Sequence, residues 1–321
     1  MRAVVVTAYG PPEVLRVGDM PAPAPGPNEV LVRVRAASVS QAEMALRRGM
    51  PVARLVTGLR RPKHPVPGSE LAGEVEAVGA AVTRFKPGDR VVAATGDTFG
   101  AHAEYCCLPE DGALAAQPAG FSHEEAVAMA EGGLTALPFL RDTARVQPGE
   151  HVVVNGASGA VGTAAVQIAK ALGAHVTGVC GPAHVGLVAS LGADEVVDYT
   201  ETDFARVVEA YDVVFDAVGK SSFGRVRRAL RPGGRYVTTT ISAGIFPAML
   251  ASRLGSRRAA IAFTGLRRPA ERARDLATLG ELMATGRMRA VIDRRFALED
   301  VAEAHRYVEA GHKQGSVVLL P

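Results

Sequence analysis

Through the first 120 residues apolar and polar side chains alternate with a period of two, in Ala3–Val6, Val30–Ala36, Gly73–Val78 and Arg90–Ala94. Pro-Gly pairs at 25–26, 67–68 and 87–88 punctuate these runs. That pattern predicts half-buried strands, and nothing in it suggests a parallel sheet. From residue 123 the period becomes helical. Strand-like runs then alternate with helical stretches, at His151–Asn155, His175–Cys180, Glu195–Val197, Asp212–Ala217 and Arg235–Thr240. This alternation predicts an α/β fold with a doubly wound sheet. After a helix near residues 270–285, the tail reads strand, helix, strand over Val291–Phe296, Leu298–Glu309 and Ser316–Leu320, and is expected to return to the first domain. The expected organisation is therefore residues 1–122 with 286–321 as a β domain, and 123–285 as a nucleotide-binding domain.

The junction at 152–162 carries the first chemical signal. An uncharged strand, Val152-Val153-Val154-Asn155, runs through Gly156-Ala157-Ser158-Gly159-Ala160-Val161-Gly162 into a helix with Ala165, Ile168, Ala169 and Leu172 on one face. Glycines let the backbone turn tightly, and the helix start presents free amides and a positive dipole end to an anion such as a pyrophosphate. The spacing matches G-x-G-x-x-G only with Ala157 at its first position, which is weak by itself. A second strand, Val176–Cys180, follows at the distance a βαβ unit requires.

Composition narrows the partners. A net charge of +3 over 321 residues is too small for general nucleic-acid binding, and no apolar run is long enough to cross a bilayer. Arg47, Arg48, Arg54, Arg60, Arg61 and Lys63 form a local basic cluster, suited to an anionic ligand or to a solvated loop. Of the three cysteines, Cys106 and Cys107 are adjacent and Cys180 is solitary, so no disulfide framework is expected. With no signal-peptide pattern ahead of the strand at Arg2, a reducing cytoplasm is the expected location.

Several segments, in order along the chain, resemble the medium-chain dehydrogenase/reductase superfamily, in its zinc-free quinone oxidoreductase and enone reductase branch. They are Tyr9-Gly10-Pro11-Pro12-Glu13-Val14-Leu15, Pro67-Gly68-Ser69-Glu70-Leu71-Ala72-Gly73-Glu74-Val75, Phe85-Lys86-Pro87-Gly88-Asp89-Arg90-Val91, Ala101-His102-Ala103-Glu104-Tyr105 and Gly133-Leu134-Thr135-Ala136, followed by Asn155–Gly162, Leu191-Gly192-Ala193-Asp194 and Ala302-Glu303-Ala304-His305. The resemblance implies a GroES-like β domain built from both termini, a Rossmann domain between them, hydride transfer, and a homodimer. The stretch Ile241–Phe263 is the expected dimer edge. Where zinc members carry ligands, this chain has Ser40, Ser69 and Glu131, so no metal is expected. Without a Lewis acid, a small hydrophobic quinone or α,β-unsaturated carbonyl is the expected acceptor, since conjugation spreads the developing charge. A zinc-independent alcohol dehydrogenase and a cofactor-binding regulatory protein without turnover are the alternatives.

The second strand ends Cys180-Gly181-Pro182 with no acid to hold a ribose 2′-hydroxyl, which permits NADPH over NADH. The resemblance places His184 where relatives often carry a phosphate-binding lysine and Tyr199 near the adenosine phosphate; Lys170 is a further candidate. Thr135, Val218 and Thr239 are expected to border the cofactor, because strand ends line the crevice of such sheets. Ser38–Glu43 resembles the loop that closes under the nicotinamide; Ser40 stands where many relatives carry Asn, and Glu43 where they carry Asp. Ser40, Glu43 and Glu70 are the candidate catalytic residues, with Glu131 as another proton source. His102, Tyr105 and His305 sit inside periodic segments and read as packed, hydrogen-bonded side chains, while residues 50–66 read as a substrate lid.

Overall fold

The computed structural model describes every residue except 51–53, 55 and 56. The chain forms two units, Met1–Glu131 with Arg267–Ala284 and Arg289–Pro321, and Gly132–Leu266 with Thr285–Met288.

In the first unit β1 (Arg2–Val6) pairs antiparallel with β2 (Leu15–Asp19), a strand that the alternation pattern missed. The central strand is β3 (Glu29–Ser38), where Val30, Val32 and Val34 face the core while Arg33 and Arg35 face solvent. A helix, α1 (Gln41–Arg48), follows it at once. The segment read as a loop under a cofactor is thus helical from Gln41 onward. β4 (Glu70–Val78), β5 (Arg90–Ala94), β6 (Tyr105–Pro109) and β7 (Ala113–Ala116) complete the antiparallel part, with β3 pairing both β4 and β6. Register shifts at Leu31/Val32 and Val34/Ala36 bend β3, which is what a long central strand needs to serve several partners. Cys106 and Cys107 lie on β6 as free thiols, one buried and one half-buried.

The long helix α2 (His123–Pro138) carries the boundary between units, which falls after Glu131. The second unit is a six-stranded sheet. β8 (His151–Asn155), α3 (Ala160–Ala171), β9 (His175–Cys180), α4 (Val185–Ser190) and β10 (Glu195–Asp198) form one half. β11 (Tyr211–Asp216), α5 (Phe223–Val226), β12 (Leu230–Thr238), α6 (Ile245–Ser252) and β13 (Arg258–Ile261) form the other. The strands are all parallel in the order β10-β9-β8-β11-β12-β13. The order reverses between β8 and β11, and ligands of such sheets bind beyond the carboxyl ends at that switch point. Val152, Val153, Val154, Val213, Val214 and Phe215 are fully buried, as expected of strands covered on both faces.

The return of the chain departs from one expectation. α7 (Pro269–Ala284) was expected with the nucleotide domain, but it packs on β5 and β7 in the first unit. Leu276, Leu279, Leu282 and Met283 make its buried stripe, and an apolar stripe at helical spacing specifies burial without naming the sheet that supplies it. The tail, β14 (Ile292–Ala297), α8 (Val301–Glu309) and β15 (Ser316–Leu320), closes a parallel β14–β15 pair, with β15 antiparallel to β3. The first unit's sheet is therefore mixed, because a helix between two strands allows a parallel crossover. Val301, Ala304 and Val308 of α8 join Val4, Val32, Leu71, Val91 and Leu114 in its core. Among the described residues no helix is long and apolar enough to cross a membrane.

Candidate active site

The turn between β8 and α3 is shaped by steric exclusion. Gly156 has φ +84°, and a Cβ there would stand 2.4 Å from the side chain of Val218. At Gly162 a Cβ would stand 2.0 Å from the carbonyl oxygen of Gly156, so the helix can approach the strand only without it. Gly159 differs, since nothing lies closer than 3.9 Å to the place a Cβ would take. That open position is the N-cap of α3 and has no capping side chain, and no acidic residue occupies the first turn. The amides of Ala160, Val161 and Gly162 begin the helix without intrahelical acceptors, at the positive end of its dipole. Gly156 and Ala157 are pinned by their N–H groups, which donate to Val179 O at 3.0 and 2.9 Å. Ser158 is half-buried beside them.

The carboxyl ends of the strands bring more of the expected residues to the same edge. Asn155 of β8 and Thr238 of β12 both pair with Asp216. Asp216 is fully buried, and its carboxylate accepts from Asn155 Nδ2, from the amides of Val218, Gly219 and Ser221, and from Tyr236 Oη. It holds the turn that lays Val218 over Gly156. Thr239 Oγ1 donates to Ala217 O at 3.2 Å in the same turn. Sequence reasoning noted Asp216 only as the end of a strand; its role depends on donors from three separate segments. One strand over, the Tyr199 hydroxyl lies 3.1 Å from where a Gly181 Cβ would be, and the Tyr199 amide donates to Cys180 O. His184 ends the short 3₁₀ turn that follows Gly181, and its Nδ1 is buried without a partner. Lys170 is not available for a phosphate, because its ammonium holds both oxygens of Asp194, at 2.8 and 2.7 Å. Thr135 is half-buried on α2.

In the first unit the chemistry is carried by carboxylates. Ser40 is the N-cap of α1, and Glu43, in the first turn, accepts the Ser40 amide at 3.2 Å and the Ser69 amide at 2.9 Å. One buried side chain thus joins the two loops that carry Ser40 and Ser69. Glu70, at the start of β4, accepts from Ser38 Oγ at 2.6 Å. Burial pushes Glu43 up to about 8 against the pull of the Ser40 amide, and the nearby Glu131 adds to the rise. Burial likewise raises Glu70 to about 7, followed by repulsion from Glu43. Both groups are carboxylic acids over much of the range where an exposed glutamate is ionised. Glu131 is instead paired with Lys313 at 2.7 Å, both side chains being less than a tenth exposed. Lys313 went unnoticed in the sequence, since a lone lysine near a chain end carries no local signal.

A zinc ion does not fit the set Ser40, Ser69 and Glu131. Two neutral hydroxyls are poor zinc ligands, and the one carboxylate already holds an ammonium in place of a metal charge. The basic cluster is also corrected. Arg47 is buried and bonds Glu309 and Gly10 O, Arg48 reaches Glu309 at 3.0 Å, and Arg54 lies over the Tyr9 ring at 4.9 Å. These three serve internal partners that their folded neighbours supply, while Arg60, Arg61 and Lys63 are exposed. Of the lid reading, residues 51–53, 55 and 56 lie outside the described residues. His102 is packed and bonded, its Nε2 lying 2.8 Å from Ser38 O. His305 is packed, but neither ring nitrogen has a partner.

Comparison with known proteins places this geometry among relatives. Residues 26–138 match the alcohol dehydrogenase GroES-like domain family, and residues 191–319 match a zinc-binding dehydrogenase family. The chain is 37% identical to a quinone oxidoreductase of Pseudomonas aeruginosa, covering 100% of this chain and 99% of that protein. It is 31% identical to a trans-enoyl reductase of Aspergillus terreus, over 91% of this chain and 86% of the other. The solved quinone oxidoreductase of Coxiella burnetii superposes with a TM-score of 0.89 at 27% identity, covering 100% and 99% of the two chains.

Proposed function

The chain belongs to the quinone oxidoreductase branch of the medium-chain dehydrogenase/reductase superfamily, and from that premise we propose that it is a zinc-independent, NADPH-dependent reductase of quinones or α,β-unsaturated carbonyls. The observation that carries the reading is the carboxyl edge of the parallel sheet, where a glycine turn, a bare helix start and the Asp216-held loop converge at the switch point. The bound nicotinamide would supply hydride. Gly156, Ala157, Ser158, Gly159, Ala160, Val161 and Gly162 hold its pyrophosphate, and Val218, Thr239 and Thr135 flank the rest. Cys180 and Gly181 leave room for a 2′-phosphate, with His184 and Tyr199 beside it. Asp198, which pairs with Cys180 across the sheet, accepts from the Thr200 amide and hydroxyl, which commits it to its own turn.

Glu70, a carboxylic acid near neutrality, provides the proton that completes a two-electron reduction once hydride has been delivered. Glu43 keeps the Ser40 and Ser69 loops in register, and Ser40 presents a hydroxyl to the acceptor carbonyl. The unpaired outer edge of β13, with Phe246, Leu250 and Phe263 exposed around it, serves a second copy of the chain. Chelator-treated protein is expected to oxidise NADPH faster than NADH with an ortho-quinone or a conjugated enone. Activity restored only by zinc and directed at alcohols would overturn the reading, and tight NADPH binding without turnover would make this a binding protein. Light scattering tests the dimer, which Leu250→Arg should split.

A further inference from the structure

Beneath the Ser40 and Ser69 loops Glu43 meets two histidines that the proposed reduction does not use. Glu43 comes from α1, His102 from the segment before β6, and His305 from α8, with exposures of 3%, 0% and 1%. One potential ligand atom from each lies within 4.8 Å of the others. The two imidazoles meet edge to face, with centroids 6.2 Å apart. His102 Nδ1 and both nitrogens of His305 are buried without any partner. Leaving so many polar atoms unsatisfied is costly, and an unexplained set of this kind points to a water or an ion. Glu43 retains lone pairs beyond the two amides it accepts. A cavity of about 50 Å³, lined in part by Glu43, His305, Arg47 and Tyr9, adjoins the group and has room for a water.

We propose that Glu43, His102 and His305 form a binding site for a divalent transition metal of the zinc class, with a water from the adjoining cavity as fourth ligand. Two imidazoles and one carboxylate are the donors such ions prefer, and they are chemically distinct from the hydroxyls at Ser40 and Ser69. Metal bonds of roughly 2.0–2.2 Å put tetrahedral ligand atoms roughly 3.3 Å apart, so binding draws the three side chains inward. The ion would cross-link α1, the strand-entry segment and α8. Its positive charge sits opposite Glu43, while the nearby Arg47 is already neutralised by Glu309. The role is structural, and it stands whether or not the proposed reductase activity does.

The test titrates the chelator-treated full chain with cobalt(II), followed by visible absorption, with zinc as competitor. One equivalent is expected to bind, at least about 100-fold more weakly in His305→Ala and in His102→Ala, with His175→Ala unchanged. The last variant controls for the trio His151, His175 and Glu195, half-buried at His151 and exposed at the other two, which also lies close enough to chelate. Zinc should raise the melting temperature of the wild type and not that of His305→Ala. If the variants fail to fold, zinc-soaked wild-type crystals decide: anomalous scattering among Glu43, His102 and His305 supports the site. A water there without scattering, a peak only at His151 and His175, or cobalt affinity indifferent to His305→Ala overturns it.

Discussion

In the nucleotide unit the turn between β8 and α3 is made almost wholly of backbone, whereas the first unit gathers ionisable side chains from four separate segments into a buried cluster. Gly156, Gly159 and Gly162 act by what they lack, and Gly159 and Gly162 find their nearest neighbour, Gly156, within the same turn. Glu43, Glu70, Glu131 and Lys313 act by charge, and they are brought together from α1, β4, α2 and the loop before β15. A site built from backbone tolerates little change in shape but little depends on charge. A site built from carboxylates tolerates changes of shape and is governed by who neutralises whom.

The comparison is tested most severely by Lys313→Met. Removing the cation leaves Glu131 buried and unpaired, with an expected loss of ~3–5 kcal/mol in denaturant unfolding. Glu131→Gln combined with Lys313→Met should recover much of that loss, and a double variant as unstable as the sum of the singles would contradict the pairing. Next in size is Gly162→Ala, where the Cβ meets Gly156 O at 2.0 Å. It should cost ~1–3 kcal/mol through overpacking, as read by the unfolding midpoint, and NADPH affinity should fall with it.

The pH dependence separates the units further. The folded state holds protons on Glu43 and Glu70 up to about 8 and about 7, against 4.5 for the unfolded chain. The unfolded state therefore binds fewer protons in this window, and the stability these groups contribute, full below pH 4.5, is lost as pH rises through about 7 and 8. His102 and His305 oppose this. They stay neutral when folded, so their contribution is lost as pH falls below 6.5. Melting temperatures from pH 4 to 9 should show Glu70→Gln flattening the upper limb and His102→Asn the lower, while Gly159→Ala leaves the profile as in the wild type. The smallest effect on stability is expected from Gly159→Ala itself, within about 0.5 kcal/mol because its Cβ meets open space. Its NADPH affinity should nonetheless fall on the order of tenfold, measured by calorimetry, since the methyl occupies the approach to the helix amides. Unchanged affinity would move the pyrophosphate away from this turn.

The amino-acid sequence by itself determined the strands β8, β9 and β15 to the residue, the alternation of strand and helix through the second unit, and the glycine turn. These follow from hydrophobic period and from residues whose backbone freedom is a local property. The sequence also carried the family resemblance, because ordered motifs survive independently of contacts. Tertiary structure decided which sheet α7 covers, that β14 and β15 run parallel, and that Lys170 and Arg47 are committed to Asp194 and Glu309. It alone showed Asp216 as the anchor of the Val218 turn, Lys313 as the partner of Glu131, and His305 as a packed histidine without a hydrogen bond. A helix face records that it must be buried, and a charged residue records that it needs a counterpart. Neither records which of many distant segments will provide it, because that choice is made only when the chain closes on itself.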